Sequence, residues 1–425
     1  MKATELLQHI SDGALDRYAH LYADTKAQAE RYADAIKAFS LRFGKDRDLY
    51  LFSVPGRSEI SGNHTDHNHG MVLAGAIDRD IIAVVSPTSD KRIRLKSQGF
   101  KEDTVNIEKT DQPENFSHYS SASLIAGICH AFKEKGVEVG GFDAYTTTEV
   151  LKGSGISSSA AFEVMCGNII NHLYADGRYS GEELATMAQY AENVYFGKPC
   201  GLMDQMACAV GGFVHIDFAD PSAPVVSPIP FSLSDAGYRL CIVNTGGNHA
   251  DLNDDYASVP AEMKSVAQEF GQDTLRGITE EQFNRRIKEL RAKVGDRAIL
   301  RALHFLRENK RVEMQANALR QGDIDSFLEG VMASGNSSFR YLQNVYTIKN
   351  VWEQGLSLAL CLTEGFLQGK KAAFRVHGGG FAGTIQAFVP ADLAEEYATY
   401  MDGIFGKGAT MMLRIRPEGA VQIDV

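Results

Sequence analysis

Four clusters in the 425-residue chain combine residue types and spacing that point to chemistry. In the run Leu151-Lys-Gly-Ser-Gly-Ile-Ser-Ser-Ser-Ala-Ala161, two glycines lead into three serines that open an alanine-rich helix. Glycines let the backbone approach a ligand, neighbouring N–H groups converge, and the helix N-terminus favours negative charge. That is a recipe for holding phosphate, although serine also serves as a plain helix cap. The loop is not of the Walker A type, because G-x-x-x-x-G-K-[ST] occurs nowhere in the chain. A second cluster, Pro55 to Gly70, is dense in Asn, His and Asp after an apolar strand, which marks a site. Such residues supply the mixed donors and acceptors that a polyhydroxyl ligand needs. His64, Asp66, His67 and His69 are alternatively metal ligands, though one local segment encloses zinc poorly, and a solvated loop is the third reading.

The third cluster centres on Asp204, between Met203 and Gln205 in an otherwise apolar stretch. A carboxylate there needs a partner, because burying one bare costs several kcal/mol. Asp204 is either a helix N-cap or, with Arg57 as counter-charge, a group that orients or deprotonates an attacking hydroxyl. The fourth cluster, Val376 to Thr384, formally contains G-x-G-x-x-G at Gly378, Gly380 and Gly383. The following TIQAFVP reads as a strand, not the helix a dinucleotide fold requires, so close backbone packing near the phosphate loop is the better fit.

These clusters need elements to hold them. Residues 1–45 read as two helices, with Tyr32, Ile36 and Phe39 at helical spacing, and a strand over Asp48–Val54 is expected to end at Pro55-Gly56. Sheet is expected from Met71 to Ser86, in the alternating runs KRIRLKS and DTVNIEK, and from Phe142 to Val150. Helices are expected over Ser120–Lys135, Ala160–Leu173 and Gly181–Tyr195. Further on, YRLCIVNTG reads as a buried strand, the charged segment Ala261–Lys310 as helical, and Lys371–Val376 and Ala409–Arg416 as strands. The class is α+β, in two lobes: residues 1–220 with the polar signature, the serine loop and Asp204, and residues 221–425 with the second glycine cluster.

Length fits two or three domains at about 150 residues each. With 43 Lys and Arg against 54 Asp and Glu, the net charge of -11 argues against nucleic-acid binding. The six cysteines show no C-x-x-C pair and read as free thiols in a reducing cytoplasm. The N-terminus lacks a signal-peptide core, and nothing approaches the roughly 18 apolar residues of a membrane span.

Taken in order, GRSEISGNHTDHNHG, GSGISSSAA, the Met-Asp-Gln segment and HGGGFAG resemble the GHMP small-molecule kinases, and within them the galactokinase family, over roughly residues 45–390. The resemblance implies a two-lobed fold, an N-terminal lobe with mixed sheet and helices, a ferredoxin-like C-terminal lobe, and an active site between them. It implies transfer of the ATP γ-phosphoryl group to the C1 hydroxyl of galactose, by a monomer or weak homo-oligomer. Asp204 corresponds to the catalytic aspartate and Arg57 to its partner. Gly153, Ser154, Gly155, Ile156, Ser157, Ser158 and Ser159 would wrap the phosphates, with Mg²⁺ on Ser158 and Glu192. Asn63, His64, Asp66, Gly201 and Tyr256 fall at sugar-contacting positions. The family pattern carries Glu where this chain has Asn63, Val-Asn where it has Ser58-Glu59, and Pro where it has Leu151. A neutral residue at 63 opens galacturonate as an alternative substrate; a non-catalytic sugar- and ATP-binding regulator is the other alternative.

Overall fold

The strand expected to stop at Pro55-Gly56 instead runs through them as β1 (Tyr50–Ser61). The computed structural model describes residues 1–150, 155–247 and 252–425. Pro55 removes one donor and a turn is the usual result, but the Arg57 N–H beyond it finds an acceptor in Ile156 O at 3.2 Å, so the strand continues. The described residues divide into two units, one of Met1–Arg57, Ala76–Gly212 and Arg416–Val425, the other of Ser58–Gly75 and Phe213–Ile415. The division is discontinuous in sequence because β1 and β2 (Met71–Thr88) each pass from one unit into the other. A single cut near residue 220 does not describe it.

In the first unit the sheet order is the strand Val421–Ile423, then β1, β2, β5 (Gly141–Thr148), β3 (Arg92–Ser97) and β4 (Glu102–Asn106). Neighbours β2 and β5 are antiparallel and β3 and β5 parallel, which makes the sheet mixed. Helix Thr25–Phe43 places Tyr32, Ile36 and Phe39 on one stripe, as their spacing predicts, and packs them with Leu51, Ile82 and Val84. The helix Ser158–Tyr174 is buried along most of its length.

One buried ion cluster ties this unit together. Asp80 accepts from Arg31 Nη1 at 2.5 Å, Ser53 Oγ at 2.5 Å and Tyr22 OH at 3.1 Å, and Arg416 Nη1 lies 3.3 Å away. Burial works to raise the Asp80 pKa, but Arg31 and Arg416 outweigh it and hold it below the ordinary value.

The second unit holds β6 (Phe213–Asp217) and β7 (Val225–Ile229), with β6 paired antiparallel to Met71–Gly75 of β2. It also holds β8 (Tyr238–Asn244), β9 (Ala373–His377), β10 (Thr384–Pro390) and β11 (Thr410–Leu413). These four form an antiparallel sheet in the order β11-β8-β10-β9. Helices lie between β8 and β9, and Ala394–Phe405 lies between β10 and β11. The sequence of elements is thus β-α-β-β-α-β, the ferredoxin-like arrangement expected. The charged segment over 261–310 resolves into parts of three helices, Asn253–Glu269, Glu280–Val294 and Asp296–Gln321. Among the described residues no helix is long and apolar enough to cross a membrane.

Removing Asp80 leaves two arginines facing each other without a counter-charge. Asp80→Ala should lower the denaturant midpoint by an amount equivalent to about 3–5 kcal/mol. Because Asp80 is held below its unfolded value, its contribution is present above the ordinary carboxylate range and fades as pH falls through the lower folded-state value. An Asp80→Ala protein with unchanged midpoint at pH 7 would refute this account.

Candidate active site

In the first unit, Gly155 and Ser157 both adopt left-handed backbone, with φ of 75° and 61°, and so turn the chain into the helix that begins at Ser158. This loop rests on β1. A Cβ at Gly56 would lie 2.7 Å from Ile156 O, so only glycine fits. Ser158 and Ser159 occupy the helix's first turn, where its N–H groups lack helical partners. Gly153 and Ser154, expected in the same loop, lie outside the described residues, as do Leu151 and Lys152.

Asp204 is the second residue of the helix Met203–Val210, whose N-cap position is Leu202, so its carboxylate does not cap that helix. It turns to Arg57, which donates Nε to Oδ1 at 2.7 Å and Nη2 to Oδ2 at 2.8 Å. This fork is the strong form of an ion pair. The remaining arm, Nη1, donates to Gly155 O at 2.7 Å, and Ser157 Oγ donates to Asp204 Oδ2. One guanidinium therefore fixes both the carboxylate and the loop. The Arg57 side chain is 11% exposed and that of Asp204 33%, which leaves the carboxylate an open face. Desolvation pushes the Asp204 pKa up, and the Arg57 charge with the hydrogen bonds from Arg57 and Ser157 overcomes it, leaving it lowered.

Glu192 sits in a π-helical turn, Ala191–Phe196, that follows the helix Gly181–Tyr190; such turns gather at functional sites. The sequence pattern gives one helix over both, because a π turn keeps helical composition. Lys198 Nζ donates to Glu192 Oε1 at 3.0 Å. Gln205 Nε2 donates to Glu192 Oε2 at 2.7 Å and to Glu163 Oε2 at 3.1 Å. Glu163 Oε1 and Gln205 Oε1 are buried without a hydrogen-bond partner. Burial, and then the Glu192 charge, raise the Glu163 pKa. Glu163 was not among the expected site residues; its sequence signal is an acid set among apolar residues on a buried helix.

Beside Ser158 lies a pocket of about 570 Å³ lined by Ile81, Phe100, Val150 and Phe162, with the hydroxyls of Ser97 and Thr146. Its residues are scattered over β2, β3, β5 and two helices, and no local motif announces them.

In the second unit, the polar signature meets the glycine run of β9–β10. Asn63 is fully buried, and its amide is saturated by the protein. Nδ2 donates to Glu59 Oε1 at 2.9 Å and Gly378 O at 2.7 Å, while Oδ1 accepts from Asn344 Nδ2 at 2.6 Å and Ser338 Oγ at 3.4 Å. His64 Nε2 lies 2.9 Å from Gly379 O, and Tyr256 OH donates to Gly380 O at 2.7 Å. A Cβ at Gly379 would lie 2.8 Å from Tyr256 Cε1, and one at Gly380 2.0 Å from Asn344 O. The glycines of HGGGFAG thus make room for these side chains, and strand β10 follows where a nucleotide fold needs a helix. Asp66 is half-buried in a short turn, Asp66–Asn68, and Gly201 is exposed ahead of Asp204. Among the described residues, no group of three or more His, Cys, Asp or Glu is placed to hold a metal, which removes the histidine-cluster reading.

Residues 122–212 match the family model of the GHMP kinases N terminal domain, and residues 37–87 match the galactokinase galactose-binding signature. The fold is shared with Lactococcus lactis galactokinase complexed with galactose: TM-score 0.74 at 22% identity, over 91% of this chain and 98% of that one. It is also shared with the mevalonate kinase of Methanococcus jannaschii: TM-score 0.60 at 13% identity, over 87% and 98%. Fold and phosphate loop together define a kinase of the GHMP class. A galactokinase of Streptomyces coelicolor is 33% identical over 353 residues, 81% of this chain and 87% of that protein. The chain belongs to the galactokinase family.

Crowding Gly56 should move the loop that rests on it. Gly56→Ala is expected to raise the KM for ATP at least about tenfold, an ångström-scale misplacement being worth that much or more, while sugar affinity measured by calorimetry stays within about twofold. Unchanged ATP kinetics would show that the loop does not depend on this contact.

Proposed function

We propose that the protein transfers the γ-phosphoryl group of ATP to the C1 hydroxyl of galactose, giving galactose 1-phosphate and ADP. The single observation that carries this reading is the forked Arg57–Asp204 pair joined to the backbone of the serine loop. It supports an ionised, partly open carboxylate held in register with donors suited to phosphate. The N–H groups at the start of the helix Ser158–Tyr174 receive the phosphate charge. An acceptor hydroxyl within hydrogen-bond reach of Asp204 is aligned for in-line attack. As the oxygen–phosphorus bond forms and the bond to the ADP oxygen breaks, the hydroxyl proton passes to Asp204. A carboxylate with a lowered pKa is a weak base, so alignment contributes more than basicity, in keeping with a loose transition state.

The pocket beside Ser158 suits the adenine: it is within the usual size range for ligand sites, apolar on its walls and provided with hydroxyls. Mg²⁺ fits the donor set, since buried, partnerless acceptors at Glu163 Oε1 and Gln205 Oε1 flank the Glu192 carboxylate, and hard divalent cations favour oxygen. Ser158 and Glu192 would hold it. When bound, the cation neutralises charge on the phosphates.

His64, Asp66, Gly201 and Tyr256 are the sugar contacts in this reading, with Asn63 shaping the cluster from behind. Glu59 bonded to Asn63 favours galactose over galacturonate, because a carboxylate stays in the cluster even though position 63 is neutral. A sugar acid is repelled there as it would be by a charge at 63.

In an ADP-release assay, Asp204→Asn should lower kcat at least about 10³-fold while galactose and ATP affinities hold within about threefold. Near-full turnover sinks the proposal. Arg57→Met should move the acid limb of the kcat/KM profile upward by about one pH unit or more, since it removes the charge that depresses Asp204. Galactose should be preferred to galacturonate at least about 100-fold, and the reverse preference would dismiss the role given to Glu59.

A further inference from the structure

The helix Asp296–Gln321 carries a face with no place in the scheme above, and that face grips the polar signature at both ends. At the entering end, Glu308 Oε1 accepts from Ser61 Oγ and from the Gly62 N–H, each at 3.2 Å, and from Ser334 Oγ. One turn earlier, His304 Nε2 lies 2.9 Å from Asn63 O. At the leaving end, Asn309 Oδ1 accepts from the Met71 N–H at 2.7 Å. Positions 304 and 308 are one turn apart, and 309 lies beside 308, so one stripe of the helix reaches all three points.

The hydrogen bonds have a defined direction. A carbonyl oxygen only accepts, so His304 Nε2 carries the proton and Nδ1 accepts from Ser337 Oγ at 2.9 Å. Ser337 Oγ in turn accepts from Arg311 Nη2 at 2.7 Å, and Arg311 Nε pairs with Glu308 Oε2 at 2.7 Å. Burial lowers the His304 pKa to about 4, which keeps the ring neutral as this chain of bonds requires. Between the gripped ends, His64 and His69 hold left-handed backbone, with φ of 56° and 59°, a conformation that persists where its surroundings fix it. Thr65 Oγ1 lies within hydrogen-bond distance of both Gly62 O at 2.8 Å and Met71 O at 2.7 Å. Gly70 has no room for a Cβ, which would lie 2.8 Å from Asn309 Oδ1.

We propose that His304, Glu308 and Asn309 are positioning residues for sugar recognition: they fix the loop over 61–71 so that His64 and Asp66 present their polar atoms to the ligand. This rests on the reading of that loop as the sugar site. All three lie more than 200 residues from the loop and in none of the four clusters first singled out.

The test uses the full chain with D-galactose and ATP. Asn309 is only half-buried, so Asn309→Ala and Asn309→Asp are both expected to fold. Asn309→Ala should raise the galactose KM about 5- to 50-fold with the ATP KM within about twofold, and Asn309→Asp, which keeps an acceptor for the Met71 N–H, should restore it. His304→Leu should act like Asn309→Ala, and His304→Gln, which retains a donor near Nε2, should recover most of the affinity. A merely structural role would lower Tm and active fraction without separating the two KM values. If His64→Ala raises the galactose KM and neither Asn309→Ala nor His304→Leu does, the positioning proposal falls and the sugar-site reading stands. Should His64→Ala itself leave galactose binding untouched, both fall.

Discussion

The Arg57 guanidinium is the point on which the chemistry turns. Its planar fork has enough donors to hold a carboxylate with two arms and a main-chain carbonyl with the third. A lysine offers one point charge and cannot fix both. The carboxylate stays ionised because the pair outweighs its desolvation, and the serine loop stays in place because the same cation is bound to it. Loss of either contact disturbs the other. Gly56 belongs to the same constraint: the loop comes so close to β1 that no side chain fits beneath it.

The second unit solves a different problem with neutral groups. A sugar is recognised by hydrogen bonds of fixed direction, so the loop that makes them must be held at its backbone. Two saturated amides, a neutral imidazole and a run of glycines achieve this with little flexible side chain involved. Glu59 and Asn63 form one hydrogen-bonded unit, and the carboxylate within it stands four residues from where the family pattern has it. Charge and amide have exchanged places while the pair persists.

What could be read from the sequence follows from how local each signal is. The serine loop, Asp204 and its partner Arg57 were legible because glycine-serine spacing and an acid in an apolar stretch are local anomalies. Ferredoxin-like order in the second unit was legible through the resemblance. The continuation of β1 through Pro55-Gly56 was not, because the acceptor that sustains it, Ile156 O, lies about 100 residues on. The pocket beside Ser158 and the grip of the helix Asp296–Gln321 were hidden for the same reason, since they exist only after distant segments have met. Asn63 was read as facing a ligand, and nothing local shows that Gly378, Ser338 and Asn344 would occupy its amide.

The return of residues 416–425 to the first unit has a temporal consequence. Val421–Ile423 covers the open edge of β1, and Arg416 neutralises half of a buried charge cluster. On the ribosome, the entire second unit is translated before either can happen. A nascent first unit therefore waits with an unpaired strand edge and an incompletely balanced acid in its interior. Its maturation is coupled to completion of the neighbouring unit, and a messenger cut short after residue 415 leaves the catalytic half unfinished although every catalytic residue has been made.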